Sequence, residues 1–236
     1  MAKHGKKYME ALKLVEEGKL YQPQEAVSLL KQMNYLKFDP TVEVHMKLGV
    51  DPRHADQMVR GVAMLPAGTG KEVKVLVFAQ GEKVAEAEAA GADFVGLDDL
   101  IKQIEADWTG FDVAIATPDV MGKVGRLGKK LGPRGLMPSP KAGTITFDVA
   151  KTVRDVKAGR VEFKVDKTAL LHIPAGKLSF NEDLLMANIT SVIDAVSRAR
   201  PTGAKGTYVK SVVLTSTMSP SIRLDVASAL ALKPAV

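Results

Sequence analysis

Strict alternation of apolar and polar residues, found in distant parts of the chain, constrains its fold more than any other feature. The longest such stretch is RVEFKVDKTALLHIPAGKLSF, residues 160–180. Its first half has the period of two that marks a strand with one buried and one solvated face. A turn and a second apolar run, Leu170–Ile173, follow, so we predict a β-hairpin. Its solvated face and turn carry the hydrogen-bonding side chains of Lys164, Asp166, Lys167 and Thr168.

The same alternation recurs upstream in Thr41–Leu48 and downstream in Thr207–Thr217. Strands of this kind predict one antiparallel sheet with an exposed polar face. Helical periodicity and start or stop signals flank them. The predicted helices cover Lys7–Glu17, a segment beginning at Pro23, and Asn181–Arg200, whereas the tail after Ser221 has only weak helical character.

Between these strands the pattern changes to buried strands alternating with helices. Val73–Ala79 and Val113–Ala116 are almost continuously apolar, as strands covered on both faces are, and Thr144–Phe147 is a candidate for one more strand. This alternation is typical of parallel β-α-β units. We therefore predict a discontinuous two-layer α+β domain, residues 1–65 and 160–236, with an inserted Rossmann-like α/β domain built on a parallel sheet, residues 66–159.

The net charge of +6 is unevenly distributed. Residues 66–159 hold 13 basic and 13 acidic side chains, whereas the flanks hold 20 basic and 14 acidic ones. The flanks therefore carry the whole excess. Such an asymmetry favours a polyanionic partner.

The sequence lacks the residues needed for disulfide, metal and catalytic sites. The chain has no cysteine and only four scattered histidines, so we predict neither a disulfide nor a metal site. No nucleophile stands beside a base, and we expect a protein without enzymatic activity or a cofactor. The N-terminus has no apolar signal core and no apolar run is long enough to span a membrane, which predicts a soluble, cytoplasmic protein without membrane contact.

The segment Val120–Phe147 combines six glycines and three prolines with six basic residues and no acidic one. A flexible backbone with guanidinium and ammonium groups suits contact with phosphates. The alternative is an exposed loop kept soluble by its charge. The basic residues are Lys123, Arg126, Lys129, Lys130, Arg134 and Lys141.

A nucleotide-binding enzyme, with its site in the inserted domain, is the main competing hypothesis. Gly68-Thr69-Gly70-Lys71 resembles part of a phosphate loop, but Glu72 stands where a magnesium-binding hydroxyl belongs. A DNA-binding regulator is disfavoured because no helix carries a concentrated basic face.

RNA fits the polar strand faces better. Aromatic residues make up only 5% of the chain, so a platform of stacking rings is not expected. Recognition would instead use RNA shape, phosphates and 2′-hydroxyls. A carboxylate such as Glu43 on such a face suits a 2′-hydroxyl or a base amine, which donate hydrogen bonds, better than a phosphate.

Four long motifs, in the same order, resemble the bacterial family of ribosomal protein L-one, the stalk protein of the large subunit. They are KFDPTVEVHMKLGVDPR (37–53), ATPDVMGKVGRLGKKLGPRGLMPSPKAGT (116–144), GRVEFKVDKTALLHIPAGKLSF (159–180) and TSTMSP (215–220). The resemblance covers nearly the whole chain and implies a discontinuous α+β domain with an inserted Rossmann-like domain. It also implies a structural constituent of the large ribosomal subunit that binds the stalk rRNA, aids release of deacylated tRNA from the exit site, and represses translation of its own operon mRNA.

The strand pattern and the resemblance together assign the residues of the RNA site, in a protein that we expect to be monomeric off the ribosome. The assigned RNA-binding residues are Phe38, Thr41, Glu43, Lys47, Lys164, Asp166, Lys167, Thr168, Ser211, Thr217, Met218 and Ser219. The basic residues between Lys123 and Lys141 are assigned to secondary contact with rRNA or passing tRNA.

One residue departs from the family pattern. The family usually has Thr-Met-Gly-Pro, and here Ser219 occupies the glycine position. If the backbone there is left-handed, Ser219 costs on the order of 1 kcal/mol, and its side chain would crowd the RNA.

Overall fold

The computed structural model describes residues 5–233. The chain divides into two compact units, Met1–Gly70 with Val161–Val236 and Lys71–Arg160, hereafter the first and second units. The helices are α1 Lys6–Leu12, α2 Pro23–Gln32, α3 Glu82–Ala89, α4 Asp98–Glu105, α5 Met121–Val124, α6 Gly128–Leu131, α7 Val149–Ala158, α8 Glu182–Arg198 and α9 Val226–Ala231. The strands are β1 Thr41–Leu48, β2 Arg60–Met64, β3 Val75–Phe78, β4 Phe94–Gly96, β5 Val113–Ala116, β6 Arg160–Lys164, β7 Leu170–Lys177, β8 Val209–Ser216 and β9 Ile222–Leu224.

The first unit is built on an antiparallel sheet in the order β7-β1-β8-β9. The alternation in β1 works as expected, because Val42, Val44, Met46 and Leu48 are all buried whereas the residues between them are not. Helices α2 and α8 cover this inner face with their apolar stripes. The face opposite α2 and α8 is the one with the polar side chains.

The predicted hairpin is wrong. Strand β7 pairs with β1, but β6 pairs with β2 in a separate two-stranded sheet. Strand β2, the partner of β6, was not predicted, because Gly61 interrupts its apolar pattern. The glycine makes room for Phe163, since a Cβ at Gly61 would lie 2.7 Å from the Phe163 ring. Burial of that ring against Gly61 therefore favours pairing of β6 with β2 over pairing with β7.

The predicted end of the second strand and the predicted tail also need correction. Strand β7 continues through Pro174 to Lys177, with a register shift opposite Val42 and Glu43. Proline fits there because β7 is the edge strand of its sheet. The tail after Ser221 has the predicted helical character in α9, but it also contains the unpredicted strand β9, whose Ile222 and Leu224 are buried at the edge of the sheet.

A buried asparagine on α8 holds the segment that leads out of the first unit. Asn188 accepts a hydrogen bond from the Ala67 backbone N–H at 3.0 Å, and it donates to the Gly68 carbonyl at 3.0 Å and the Ala175 carbonyl at 2.7 Å. Both N–H hydrogens of its amide donate and its amide oxygen accepts. The helix, the edge strand and residues 67–68 are thereby joined at one point.

The second unit is a parallel sheet in the order β4-β3-β5 with helices on both faces. This confirms the parallel strand-helix alternation predicted for the middle of the chain. Thr144–Phe147 forms only a bridge from Ile145 to Ala116, because Phe147 is exposed and Asp148 already caps α7.

The glycine-rich segment is helical over its first half, not a flexible loop. Short helical turns follow one another from Pro118 to Leu131. Val120, Val124, Leu127 and Leu131 recur at helical spacing and are buried in one cluster with α4. Apolar burial therefore outweighs the low helix propensity of the glycines.

Candidate RNA-binding interface

The outer face of the four-stranded sheet carries polar side chains along β1, with Leu170, Pro174 and Val213 between them on the neighbouring strands. Along β1, Thr41, Glu43, His45 and Lys47 point outward, opposite to the buried positions. In the sheet register Glu43 lies beside Thr215 of β8, and Lys47 lies beside Ser211. At about 3.4 Å per residue, the eight residues of β1 extend over roughly 24 Å, the length of several nucleotides.

One end of this face is formed by the loop after β8. Thr41 and Thr217 fasten the loop to β1, because the Thr217 N–H donates to the Thr41 carbonyl at 3.0 Å and the Thr41 N–H to Thr217 Oγ1 at 3.1 Å. Met218 is 68% exposed and has a left-handed backbone with φ of 63°. The Tyr35 hydroxyl donates to its carbonyl at 2.6 Å. These hydrogen bonds fix the backbone at Met218, so its thioether side chain is exposed on an ordered loop.

Phe38 lies in the segment just before the same end of β1, with half of its surface exposed. The next residue, Asp39, accepts hydrogen bonds from the Ser179 N–H at 3.0 Å and the Ser179 hydroxyl at 2.7 Å. These bonds fix the segment after β7 against it. Phe38 is therefore an exposed ring on an anchored support.

The turn between β6 and β7 lies at the opposite end of the face, next to Lys47. Asp166 accepts from the N–H groups of Thr168 and Leu170 at 2.8 and 2.7 Å, and from the Thr168 hydroxyl at 2.6 Å. The Thr168 hydroxyl is the main cause of the lowered pKa of Asp166. Asp166 and Thr168 thus build the turn, and Lys167, at its tip, is exposed.

A groove of about 830 Å³ lies beside this turn, lined by Pro52, Arg53, Met58, Lys164, Val165, Asp166 and Lys167. Three of these side chains are cationic and one is anionic. Lys164 belongs to β6, so it lies on the two-stranded sheet and not on the polar face. Arg53 was not among the predicted residues, although its position after a turn in a quoted motif was the available signal.

Ten of the twelve predicted RNA-binding residues fall into three places in the first unit, while Phe38 precedes β1 and Lys164 lies on the two-stranded sheet. Thr41, Glu43, Lys47 and Ser211 share the outer sheet face, Thr217, Met218 and Ser219 form the loop at one end, and Asp166, Lys167 and Thr168 form the turn at the other. His45, His172 and Thr215, at the centre of the face, were missed. His45 has the same parity as Glu43 and could have been found from the alternation, whereas His172 needed the sheet register.

The model of the Ribosomal protein L1p/L10e family matches residues 30–220, which is more than half of the chain. The chain belongs to this family. Members of the family are structural, nonenzymatic constituents of the ribosome that bind rRNA. The match therefore supports an RNA-binding protein of the large subunit that works on cytoplasmic ribosomes.

Ser219, at the position where the family usually has glycine, does not have the left-handed backbone considered from the sequence. The left-handed residue of the loop is Met218, and Ser219 is not among the described residues with positive φ. The Ser219 hydroxyl accepts from the Ser216 N–H at 2.8 Å and donates to the Pro220 carbonyl at 3.0 Å. It therefore closes the turn, and no conformational cost arises at this position.

The six predicted basic residues of Lys123–Lys141 all lie in the second unit. Three of them have partners there: Lys123 pairs with Asp98 at 3.1 Å, Lys130 pairs with Asp107 at 2.8 Å, and Arg134 bonds Thr109. Arg126, Lys129 and Lys141 are exposed. Exposed pairs of this kind are weak, so they leave the cations accessible to a phosphate.

The segment Gly68-Thr69-Gly70-Lys71 does not have the structure of a phosphate-binding loop. Gly68 and Gly70 have positive φ, but the segment runs on toward strand β3 and not into a helix N-terminus, where a phosphate loop would end. A Cβ at Gly70 would lie 2.7 Å from Lys177 and 2.9 Å from Phe180, so that glycine serves close packing. Within residues 5–233, no cluster of acidic and histidine side chains suited to a metal ion was found, and no helix has the length and apolarity needed to cross a membrane.

Proposed function

We propose that this chain binds the rRNA of the mobile stalk of the large subunit through the outer face of the β7-β1-β8-β9 sheet and the loops at its two ends. The observation that carries the proposal is the shared orientation of Thr41, Glu43, Lys47 and Ser211 on the sheet face opposite α2 and α8. Exposed apolar side chains, Phe38 and Met218, stand at one end of that face. A polar surface of this length can contact several nucleotides of a folded RNA.

The chemistry of the surface changes along its length. Cations stand at the turn end, where Lys47, Lys167 and the groove residue Arg53 are exposed and suit phosphates. The centre carries the Glu43 carboxylate, which repels phosphate and accepts hydrogen bonds from ribose or base donors. A partner with alternating phosphates and sugar hydroxyls, namely a structured RNA, fits this order better than a uniform polyanion does.

We also infer that the two compact units are separate domains, the second inserted into the first. Support comes from their hydrophobic cores, which share no residue: one surrounds the inner face of the four-stranded sheet and the others flank the parallel sheet. The chain passes from one unit to the other near residues 70–71 and 160–161, close to the boundaries predicted from sequence. Each unit can then carry its own part of the function.

The finer activities of the family follow as proposals for this chain. Lys123, Arg126, Lys129, Lys130, Arg134 and Lys141 of the second unit would make secondary contacts with rRNA or with deacylated tRNA leaving the exit site. The sheet face would bind a stalk-like structure in the operon's own mRNA and so repress its translation. Competition between the mRNA leader and a stalk rRNA fragment for one binding site is the measurement that checks the second activity.

The main test measures binding of the full chain to a stalk rRNA fragment across a range of salt concentrations. Lys47→Gln removes one cation from the outer face, and it should reduce the slope of log K against log salt by about 0.7 to 0.9. Lys31→Gln is the matched control, because Lys31 lies on α2, on the covered side of the sheet. It should leave both affinity and slope unchanged.

Two outcomes would contradict the proposal. If the chain binds the stalk fragment no better than an unrelated RNA hairpin of the same length, the proposed ligand is wrong. If the stalk fragment binds tightly but Lys47→Gln and Lys31→Gln behave alike, the interface lies elsewhere.

The division of labour between the units has a test of its own. Neutralising Lys129, Lys130 and Arg134 together should leave the affinity for the isolated stalk fragment nearly unchanged, and it should slow release of deacylated tRNA from reconstituted ribosomes. A tenfold loss of stalk affinity in this variant would show that the second unit is part of the primary site.

A further inference from the structure

A row of hydrogen-bonding side chains crosses the strands at the centre of the outer face. His45 on β1 lies opposite His172 on β7, and their Nδ1 atoms are 2.7 Å apart. On the other side, His45 Nε2 is 2.8 Å from Thr215 Oγ1 and 3.6 Å from Glu43 Oε2. Both ring nitrogens of His45 are therefore engaged within the protein, whereas His172 is exposed and uses only Nδ1 in this row.

The protonation states in this row follow from the neighbours of His45. Burial, followed by the proximity of His172, lowers the pKa of His45, while Glu43 acts in the opposite direction, so the neutral form of the ring is favoured. A neutral imidazole carries one proton, on Nδ1 or on Nε2. If Nε2 were bare, its lone pair would face the Glu43 carboxylate. A proton on Nε2 instead donates to Thr215 and is attracted by Glu43, so this tautomer is favoured.

The tautomer of His45 determines that of His172. With its proton on Nε2, His45 can only accept at Nδ1, and the 2.7 Å contact requires His172 to donate its Nδ1–H. In the neutral form of His172 the single proton is then on Nδ1, so Nε2 carries none and can accept a hydrogen bond. This is the reverse of the tautomer that predominates for free histidine in water, so the row imposes it.

We infer that His172 presents Nε2 to the RNA as a hydrogen-bond acceptor, which recognises a donor on the RNA, either a ribose 2′-hydroxyl or a base amine. The inference rests on the proposed function and adds a residue and a donor chemistry to it. Together with Glu43, His172 makes the centre of the face a site that accepts hydrogen bonds. The 2′-hydroxyl distinguishes RNA from DNA, so an acceptor here contributes to that choice.

The first experiment reads the tautomers directly. The full chain, labelled with ¹⁵N-histidine, is studied by long-range ¹H–¹⁵N correlation near pH 7. We expect His172 to be protonated on Nδ1 and His45 on Nε2, and Glu43→Gln to weaken this preference. A proton on Nε2 of His172 in the unsubstituted chain would overturn the inference, whatever the RNA ligand is.

The second experiment measures affinity for the stalk rRNA fragment. His172→Phe keeps a ring of similar shape without the acceptor, and it should weaken binding about fivefold to tenfold, the effect of one hydrogen bond. His54→Phe is the matched control, because His54 lies in the loop before β2, where it faces Asp51 at 4.0 Å. It should bind like the unsubstituted chain.

Modified RNAs identify the donor. Fragments with single 2′-deoxy residues test ribose hydroxyls, and fragments with inosine in place of guanosine or purine riboside in place of adenosine test the purine amines. One such change should weaken binding to the unsubstituted chain by the same factor as His172→Phe and have no further effect on that variant. Equal effects on both proteins, or unchanged affinity of His172→Phe, would overturn the inference alone, whereas failure of the unsubstituted chain to bind the fragment would overturn the proposed function as well.

Discussion

Glycine is the usual residue of the family at position 219, and the sequence and the structure predict opposite effects of Ser219→Gly on stability. A left-handed serine would gain on the order of 1 kcal/mol from glycine. In the structure Met218 has the positive φ, and the Ser219 hydroxyl makes two hydrogen bonds, at 2.8 and 3.0 Å. Glycine loses both and adds backbone freedom to the unfolded chain.

The magnitude follows from these terms. Each hydrogen bond contributes about 1 kcal/mol, and the glycine adds roughly 0.5 to 1 kcal/mol. Because the loop is partly exposed, water replaces some of what is lost, and we expect a net destabilisation of about 1 to 2 kcal/mol. Ser219→Ala keeps the Cβ and should lose about half of this.

Hydrogen exchange of the Ser216 amide is the most direct assay, because this N–H donates to the Ser219 hydroxyl. Its exchange should accelerate by a factor of about 5 to 30 in Ser219→Gly. Ser221→Gly, at an exposed serine two residues further on, controls for the effect of glycine on the unfolded chain. Slower exchange in Ser219→Gly than in the unsubstituted chain would refute the role assigned to the hydroxyl.

Three other perturbations test the packing of the first unit. Asn188→Ala leaves buried backbone groups unpaired and should lower the free energy of unfolding by about 3 kcal/mol, measured in urea. Asn181→Ala is the control, because Asn181 is exposed at the N-cap of α8 and its side chain makes no capping hydrogen bond, so it should change that free energy by less than about 0.5 kcal/mol. Gly61→Ala places a Cβ 2.7 Å from the Phe163 ring and should cost about 1 to 3 kcal/mol; unchanged stability would contradict the proposed reason for the β2–β6 pairing. Burial raises the pKa of Tyr208 from 10.0 to about 12, so its contribution is complete below pH 10 and is lost as the pH rises toward 12. Tyr208→Phe should flatten that alkaline loss of stability, by on the order of 1 kcal/mol, in thermal unfolding between these pH values.

The strands of the polar face were predictable because their faces differ in polarity. The alternation in Thr41–Leu48 assigns each side chain to the core or to the solvent without knowledge of the partner strand. The same rule identifies Glu43 and Lys47 as candidates and would have identified His45. The parallel strands of the second unit were predictable for the opposite reason, since both of their faces are buried.

Pairing of strands was less predictable, because it depends on contacts between residues far apart in the chain. The turn at Asp166 is a strong local signal, and it made a hairpin of β6 and β7 the natural prediction. Gly61 lies a hundred residues upstream, and only the packing of Phe163 against it explains why β6 pairs with β2. The helical turns of Pro118–Leu131 were missed for a similar reason, since glycine content outweighed the spacing of four buried apolar residues.

The sequence by itself determined the family, the two kinds of sheet and the polar residues that line one strand face, because motifs and periodicity are properties of consecutive residues. The tertiary structure decided which distant residues meet. It brought His172 of β7 against His45 of β1, and it assigned the left-handed conformation to Met218 and a hydrogen-bonding role to Ser219. Hydrogen-bond geometry depends on register and backbone dihedral angles, which follow from the packing of the whole unit and not from the residue types alone.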